Sequence, residues 1–202
     1  MNKLLVSLVL SLGVAGSAHA LQGDAEAGKG KVAVCAACHG NDGNSMMPNW
    51  PKLAGQGERY LLKQLIDIKE GVRVVPEMTG IVANMSEQDL ADTAAYYATQ
   101  TPVGGAADPE LAARGEAIYR GGDLETGLPA CTGCHSPTGQ GNDPAAYPQL
   151  AGQHAAYTAK QLTDFREGNR VNDGDAMIMQ TIASRLSNKD IEAVSNYIQG
   201  LR

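Results

Sequence analysis

Cys35-Ala36-Ala37-Cys38-His39 and Cys131-Thr132-Gly133-Cys134-His135 are two copies of one five-residue pattern, and the residues that follow them repeat as well. The first cysteines of the two copies stand 96 residues apart (131 − 35). Pro51-Lys52-Leu53-Ala54-Gly55-Gln56 returns as Pro148-Gln149-Leu150-Ala151-Gly152-Gln153 at a spacing of 97 (148 − 51). That register continues through Tyr60 and Tyr157, Lys63-Gln64-Leu65 and Lys160-Gln161-Leu162, and Gly71 and Gly168. Ser86 with Ser187 and Tyr96 with Tyr197 follow at 101 (187 − 86). The spacing drifts only by short insertions, so the chain is a tandem duplication of one folding unit.

Upstream, Gly28 pairs with Gly115 at a spacing of 87 (115 − 28), so the second copy carries about nine extra residues before its first cysteine; the Gly-rich stretch Arg120 to Pro129 is read as that loop. Thr101-Pro102-Val103-Gly104-Gly105 ends the first copy, because Pro and Gly stop a helix. The expected units are residues 21–103 and 104–202, and so short a linker keeps them in contact.

Within each unit the pattern is helical. A first helix is expected from Asp24 into Cys35 and a second from Gln56 to Gly71, where Tyr60, Leu61, Gln64, Leu65 and Ile68 share one stripe. A last helix opens on Ser86-Glu87-Gln88-Asp89, a capping-box pattern repeated as Ser187-Asn188-Lys189-Asp190. No alternating strand pattern competes, and the fold class is all-α.

The first twenty residues are set apart from this fold. Lys3, the apolar run Leu4 to Gly16 and Ala18-His19-Ala20 are the three parts of a secretory signal, with cleavage expected after Ala20. The apolar run is shorter than the roughly 20 residues that a spanning helix needs. The formal net charge of −6 argues against nucleic-acid binding, which needs clustered Lys and Arg. Aromatic residues make up only 4% of the chain, with one Trp and one Phe, so something other than large side chains must fill two small cores.

A buried porphyrin would supply that volume, and the pentapeptide has the groups to attach one. Two thiols one helical turn apart can each form a thioether to a vinyl group of one haem, and the adjacent imidazole reaches the iron. The rival readings fit less well. A thioredoxin-like redox pair expects a βαβ context. A single structural zinc would need two Cys-x-x-Cys pairs brought together from separate repeat units. Two covalently bound haem c groups are therefore expected, attached through Cys35 and Cys38 and through Cys131 and Cys134, with His39 and His135 on the irons.

The repeat also selects the second axial ligands. At the spacing of 101, Met78 falls on Met179, each eight residues before its capping serine (86 − 78 and 187 − 179). Met85 aligns with Leu186, and Met46 and Met47 align only with the polar loop after His135. Met78 and Met179 are the expected ligands, with Met177 the competing candidate. His154 aligns with Gly57, outside the repeated set, and is read as a solvated or locally hydrogen-bonded histidine rather than an iron ligand. His/Met ligation leaves iron no open position, so such a site exchanges electrons and binds no substrate. An electron carrier rather than an enzyme is expected, against the rival of a dihaem peroxidase.

With these residues in place, the chain resembles the dihaem cytochrome c4 family of bacterial periplasms. The likeness rests on both pentapeptides, the paired Pro-x-Leu-Ala-Gly-Gln segments, the stretch Gln153-His154-Ala155-Ala156-Tyr157 through Asp164-Phe165-Arg166-Glu167-Gly168, and Met-Thr-Gly at Met78. It implies two class I cytochrome c domains packed face to face, with propionates near the interface. It implies a periplasmic carrier that takes electrons from a quinol-oxidising complex or another cytochrome and passes them to a terminal respiratory oxidase, sometimes loosely held at the inner membrane. It also implies that the carbonyls of Pro51 and Pro148 accept the proximal ring N–H groups, and that Gly28 with Tyr96 and Gly115 with Tyr197 are close helix contacts. The segment before the methionine is shorter in the first unit, 7 residues from Gly71 to Met78 against 11 from Gly168 to Met179, so the two haem edges are expected to differ.

Overall fold

The computed structural model describes residues 21–202, so the proposed signal and its cleavage site after Ala20 lie outside the described residues. The first unit contains α1 (Ala25–Lys29), α2 (Ala33–His39), α3 (Glu58–Lys69), α4 (Pro76–Val82) and α5 (Glu87–Ala98). The second contains α6 (Pro109–Gly121), α7 (Thr132–His135), α8 (Ala155–Glu167), α9 (Ile178–Ala183) and α10 (Asn188–Gly200), with a 3₁₀ turn at Asp143–Ala145. Among the described residues the only β-type pairings are the isolated bridges Asp123–Leu128 and Asn142–Tyr147, so the fold is all-α, as expected.

The expected helix from Asp24 into Cys35 is two helices. Asp24 caps α1 by accepting from the amides of Glu26 and Ala27, but α1 stops at Gly30, after two glycines in three residues. Glycine gives up more backbone freedom in a helix than any other residue. Lys31 then turns its ammonium to Asp89 and Asp92 of α5, both at 2.6 Å. The second expected helix begins two residues late, at Glu58, because Gln56 sends its side chain across to the other unit. Both capping boxes form: Ser86 accepts from the Asp89 amide at 3.1 Å and Ser187 from that of Asp190 at 3.2 Å.

In each unit the first helix crosses the last. The crossing is closest at Gly28, where a Cβ would lie 2.0 Å from the Asp92 carbonyl oxygen and 2.9 Å from Tyr96 Cβ, and at Gly115, where it would lie 2.1 Å from the Ala193 carbonyl oxygen and 2.5 Å from Tyr197 Cβ. Only glycine fits there. Val32, Leu61, Ala94 and Tyr97 form the core beside Cys35, while Ile118, Tyr119, Val194 and Ile198 form the one beside Cys131. The segment expected as a loop in the second unit, Arg120 to Pro129, takes in the end of α6 and the tight Asp123–Leu128 bridge.

The two units meet through contacts that obey the sequence repeat. Gln56 donates to the Gln149 carbonyl (2.9 Å) and accepts from the Gln149 amide (2.7 Å). Its counterpart Gln153 donates to the Lys52 carbonyl and accepts from the Lys52 amide, both at 2.9 Å. Lys52 is the counterpart of Gln149, so the interface has an approximate two-fold axis, with residue i on j and j on i. Both glutamines are buried. The linker lies along both units: the Val103 amide donates to Asn44 and the Gly105 amide to the Gln199 carbonyl.

Candidate haem-binding sites

Each pentapeptide folds as a short helical turn that ends on its histidine, α2 at His39 and α7 at His135. Both imidazoles are buried. Nδ1 of His39 lies 2.8 Å from the Pro51 carbonyl oxygen, and Nδ1 of His135 lies 2.9 Å from that of Pro148. A carbonyl only accepts, so Nδ1 carries the proton and Nε2 keeps its lone pair. Gly43 and Gly139 hold the proline loops in place: the Gly43 carbonyl accepts from Leu53 and Ala54, and the Gly139 carbonyl from Leu150 and Ala151. Burial holds both imidazoles below the ordinary histidine pKa, which keeps them in the neutral form that binds metal.

The four thiols are partly buried and form no disulfide. Burial pushes the Cys35 thiol up and that of Cys131 up to about 11, so neither is a ready thiolate. Tyr97 packs in the cluster that Cys35 borders, and its buried hydroxyl has no hydrogen-bond partner among the described residues. The donor set fits a covalently held haem: paired thiols, an imidazole with a fixed tautomer and a bare Nε2, and a thioether available from a second segment. Among the described residues no group of three or more His, Cys, Asp or Glu side chains gathers around a metal-sized site, so the single-zinc reading has no counterpart in the structure.

Met78 sits in the first turn of α4 and Met179 in the first turn of α9, and both are half-buried. Met177 is 51% exposed and occupies the left-handed cap position before α9, with φ 46°. Met46 and Met47 are exposed on their loop. The four additional residues of the second methionine segment have a use of their own: Asp173 accepts from the amide (2.9 Å) and side chain (2.6 Å) of Gln180, and Asn172 is buried against α3. His154 caps α8 and its Nε2 donates to the Ser45 carbonyl of the other unit at 2.8 Å, so it is hydrogen-bonded but not merely local.

The cytochrome c family model matches this chain twice, over residues 25–101 and 112–202. Cytochrome c4 of Azotobacter vinelandii is 66% identical over 210 aligned residues, covering all of both chains. The crystal structure of reduced recombinant cytochrome c4 from Pseudomonas stutzeri superposes with a TM-score of 0.88 at 66% identity, covering 89% of this chain and all of that one. A more distant relative, at 35% identity over 83% of this chain and 78% of its own length, is the thiosulfate dehydrogenase electron acceptor of Thiomonas intermedia. The chain belongs to the cytochrome c4 family, dihaem c-type cytochromes of electron transfer, and carries two covalently bound haem c groups.

Proposed function

We propose that the chain is a periplasmic two-centre electron carrier built from domains 21–103 and 104–202, fed by a quinol-oxidising complex or another cytochrome and delivering to a terminal respiratory oxidase. Cys35 and Cys38 would hold the first haem and Cys131 and Cys134 the second, with His39 and Met78 binding one iron and His135 and Met179 the other. The haem supplies reversible one-electron exchange between ferric and ferrous iron. The protein's part is to fix the ligands and exclude others. Pro51 and Pro148 lock the imidazole tautomer and orientation, and the methionine thioethers would raise the potential and keep other ligands off the iron.

The observation that carries this reading is the duplicated geometry: each buried imidazole bonds a proline carbonyl through Nδ1, and each unit offers one half-buried methionine at the matching place. The exposure of Met177 favours Met179 over it. A relative named as an electron acceptor supports a carrier rather than an enzyme. Among the described residues no helix is long and apolar enough to cross a membrane, so any membrane association is peripheral or rests on residues beyond them.

The test is the sulfur-to-iron charge-transfer absorption of the ferric protein. It is expected to report two Met-ligated haems, to fall by half in Met78→Ala and in Met179→Ala, and to be unchanged in Met177→Ala. Loss of the band in Met177→Ala would overturn the ligand assignment, and a native band worth one haem would overturn the closed-site carrier. N-terminal sequencing of the exported protein is expected to start at Leu21. Release from membranes by salt alone would mark a peripheral, electrostatic contact.

A further inference from the structure

The register that pairs Gln56 with Gln153 also pairs Arg73 with Arg170, at 97 residues (170 − 73), and the structure brings these two arginines together between the domains. Arg73 donates to Gln64 of its own unit (2.9 Å) and, across the interface, to Tyr157 (3.0 Å) and Gln161 (2.9 Å). Arg170 donates to Gln161 of its own unit (2.8 Å) and, across the interface, to Tyr60 (3.1 Å) and Gln64 (2.9 Å). Each guanidinium is therefore held between α3 and α8: Arg73 has one partner in its own domain and two in the other, and Arg170, which also donates to Asn172 at 2.9 Å, has two in each. Arg170 is 8% exposed and stacks over the Phe165 ring at 4.4 Å.

The cluster is rich in donors and positive charge. Gln64 Oε1 alone accepts from Arg73, Arg170 and Asn172, more donors than a carbonyl has lone pairs. The charged members are Arg73, Arg170, Lys63 and one carboxylate, Asp67, which already binds Lys63 at 2.5 Å and Asn172 at 2.6 Å. One buried and one half-buried cation among mostly neutral side chains carry a large electrostatic influence, because the surroundings screen them less than water does. The same helices reach the attachment sites: Leu61 and Leu65 of α3 pack in the cluster beside Cys35, and Ala159 and Leu162 of α8 in the one beside Cys131. Gln64, which both arginines bind, sits between Leu61 and Leu65 on α3, and Gln161 sits beside Leu162 on α8, so the arginines are anchored on the two helices that wall the cores.

We propose that Arg73 and Arg170 form a shared cationic centre that sets the reduction potentials of both haems together, each arginine acting on the haem of the other domain as well as its own. A nearby cation disfavours the more positive ferric state, so it raises the potential. This inference rests on the two-haem reading above, and it names a function for residues that touch neither pentapeptide.

The test is a redox titration of the holoprotein, followed in the visible spectrum and fitted to two one-electron steps, for the native chain, R73Q, R170Q and R73K. Each Gln variant is expected to lower both potentials, shifting the ferrous-to-ferric ratio at each haem by about tenfold, equivalent to 59 mV for one electron. R73K, which keeps the charge, is expected to stay within about twofold of native at both haems. A shift confined to one haem, shifts under about twofold in the Gln variants, or an R73K shift as large as that of R73Q each overturns the proposal. Over-subscription of Gln64 means that the Gln variants leave its oxygen satisfied, so they are expected to fold. Haem content of the native protein tests the underlying reading separately: two haems per chain with unmoved potentials in the variants refute only the shared centre.

Discussion

Replacing Gln56 with Ala removes one half of the reciprocal glutamine contact and is expected to uncouple the two domains. The side chain satisfies both the carbonyl and the amide of Gln149 across the interface, at 2.9 and 2.7 Å, and also accepts from its neighbour Gly57 at 3.0 Å. Alanine leaves two cross-interface backbone groups without partners at a position where the glutamine is 6% exposed. An unsatisfied buried polar group costs about 1–3 kcal/mol, and water entering at the edge of a domain interface recovers part of that, so the net loss is about 2–4 kcal/mol. For domains of this size about 1 kcal/mol corresponds to roughly 4–8 °C in Tm. Scanning calorimetry of the holoprotein should therefore show the melting transition fall by about 10 °C or more and split, as the domains lose their common interface. Gln153→Ala should do the same through Lys52. The double variant should lose less than the sum of the two, because an interface opened by one substitution gains little from the other. A Q56A protein that melts as one transition within about 2 °C of native would refute the assignment of docking energy to these glutamines.

Three further outcomes follow from the geometry. Gly115→Ala places a Cβ 2.1 Å from the Ala193 carbonyl oxygen, so α6 and α10 must separate; a loss of about 3 kcal/mol or more in denaturant titration is expected, and a loss under about 1 would show that the crossing yields easily. Ser86→Ala and Ser187→Ala each remove a cap whose side chain accepts from an amide three residues on, and each should cost about 1 kcal/mol, in the first and the second domain respectively. His154 is held below the ordinary histidine pKa, chiefly by burial, so the unfolded chain binds the proton first as pH falls. Its contribution is complete above about pH 6.5 and declines below it, and the difference in acid stability between native and His154→Gln proteins should show that slope; a parallel pH dependence of the two would remove His154 as the titrating group.

Much of this molecule was legible in one sequence because haem attachment needs adjacent residues. The thiols and the imidazole must lie within a single helical turn, so Cys35 to His39 and Cys131 to His135 announce themselves. The two capping boxes are equally local and formed as written. The break at Gly30 is not legible locally, because Asp24 is a strong helix start and the apolar period does not show what Lys31 does. Its ammonium finds Asp89 and Asp92, roughly sixty residues away, and no local pattern encodes that pairing. The interface shows the same limit more sharply. Tyr60, Gln64, Tyr157 and Gln161 were visible as repeated residues, yet repetition states only that two folds are alike. That Arg73 reaches Gln161 while Arg170 reaches Gln64 depends on how the copies dock. Asn172 was hidden for another reason: it lies in the four-residue excess of the second methionine segment, where the register offers no counterpart.

The reciprocal glutamine contacts have the form of a symmetric dimer interface, and here the two partners are one chain. Residues 101–107 run without helix between α5 and α6 and hold each domain close to the other. A short tether of this kind gives an effective concentration in the millimolar range, so docking becomes a unimolecular event. Contacts too weak to pair two free domains at cellular concentrations then suffice to keep them together. The interface can accordingly be polar and built from a few hydrogen bonds, and its geometry does not depend on how much of the protein the cell makes.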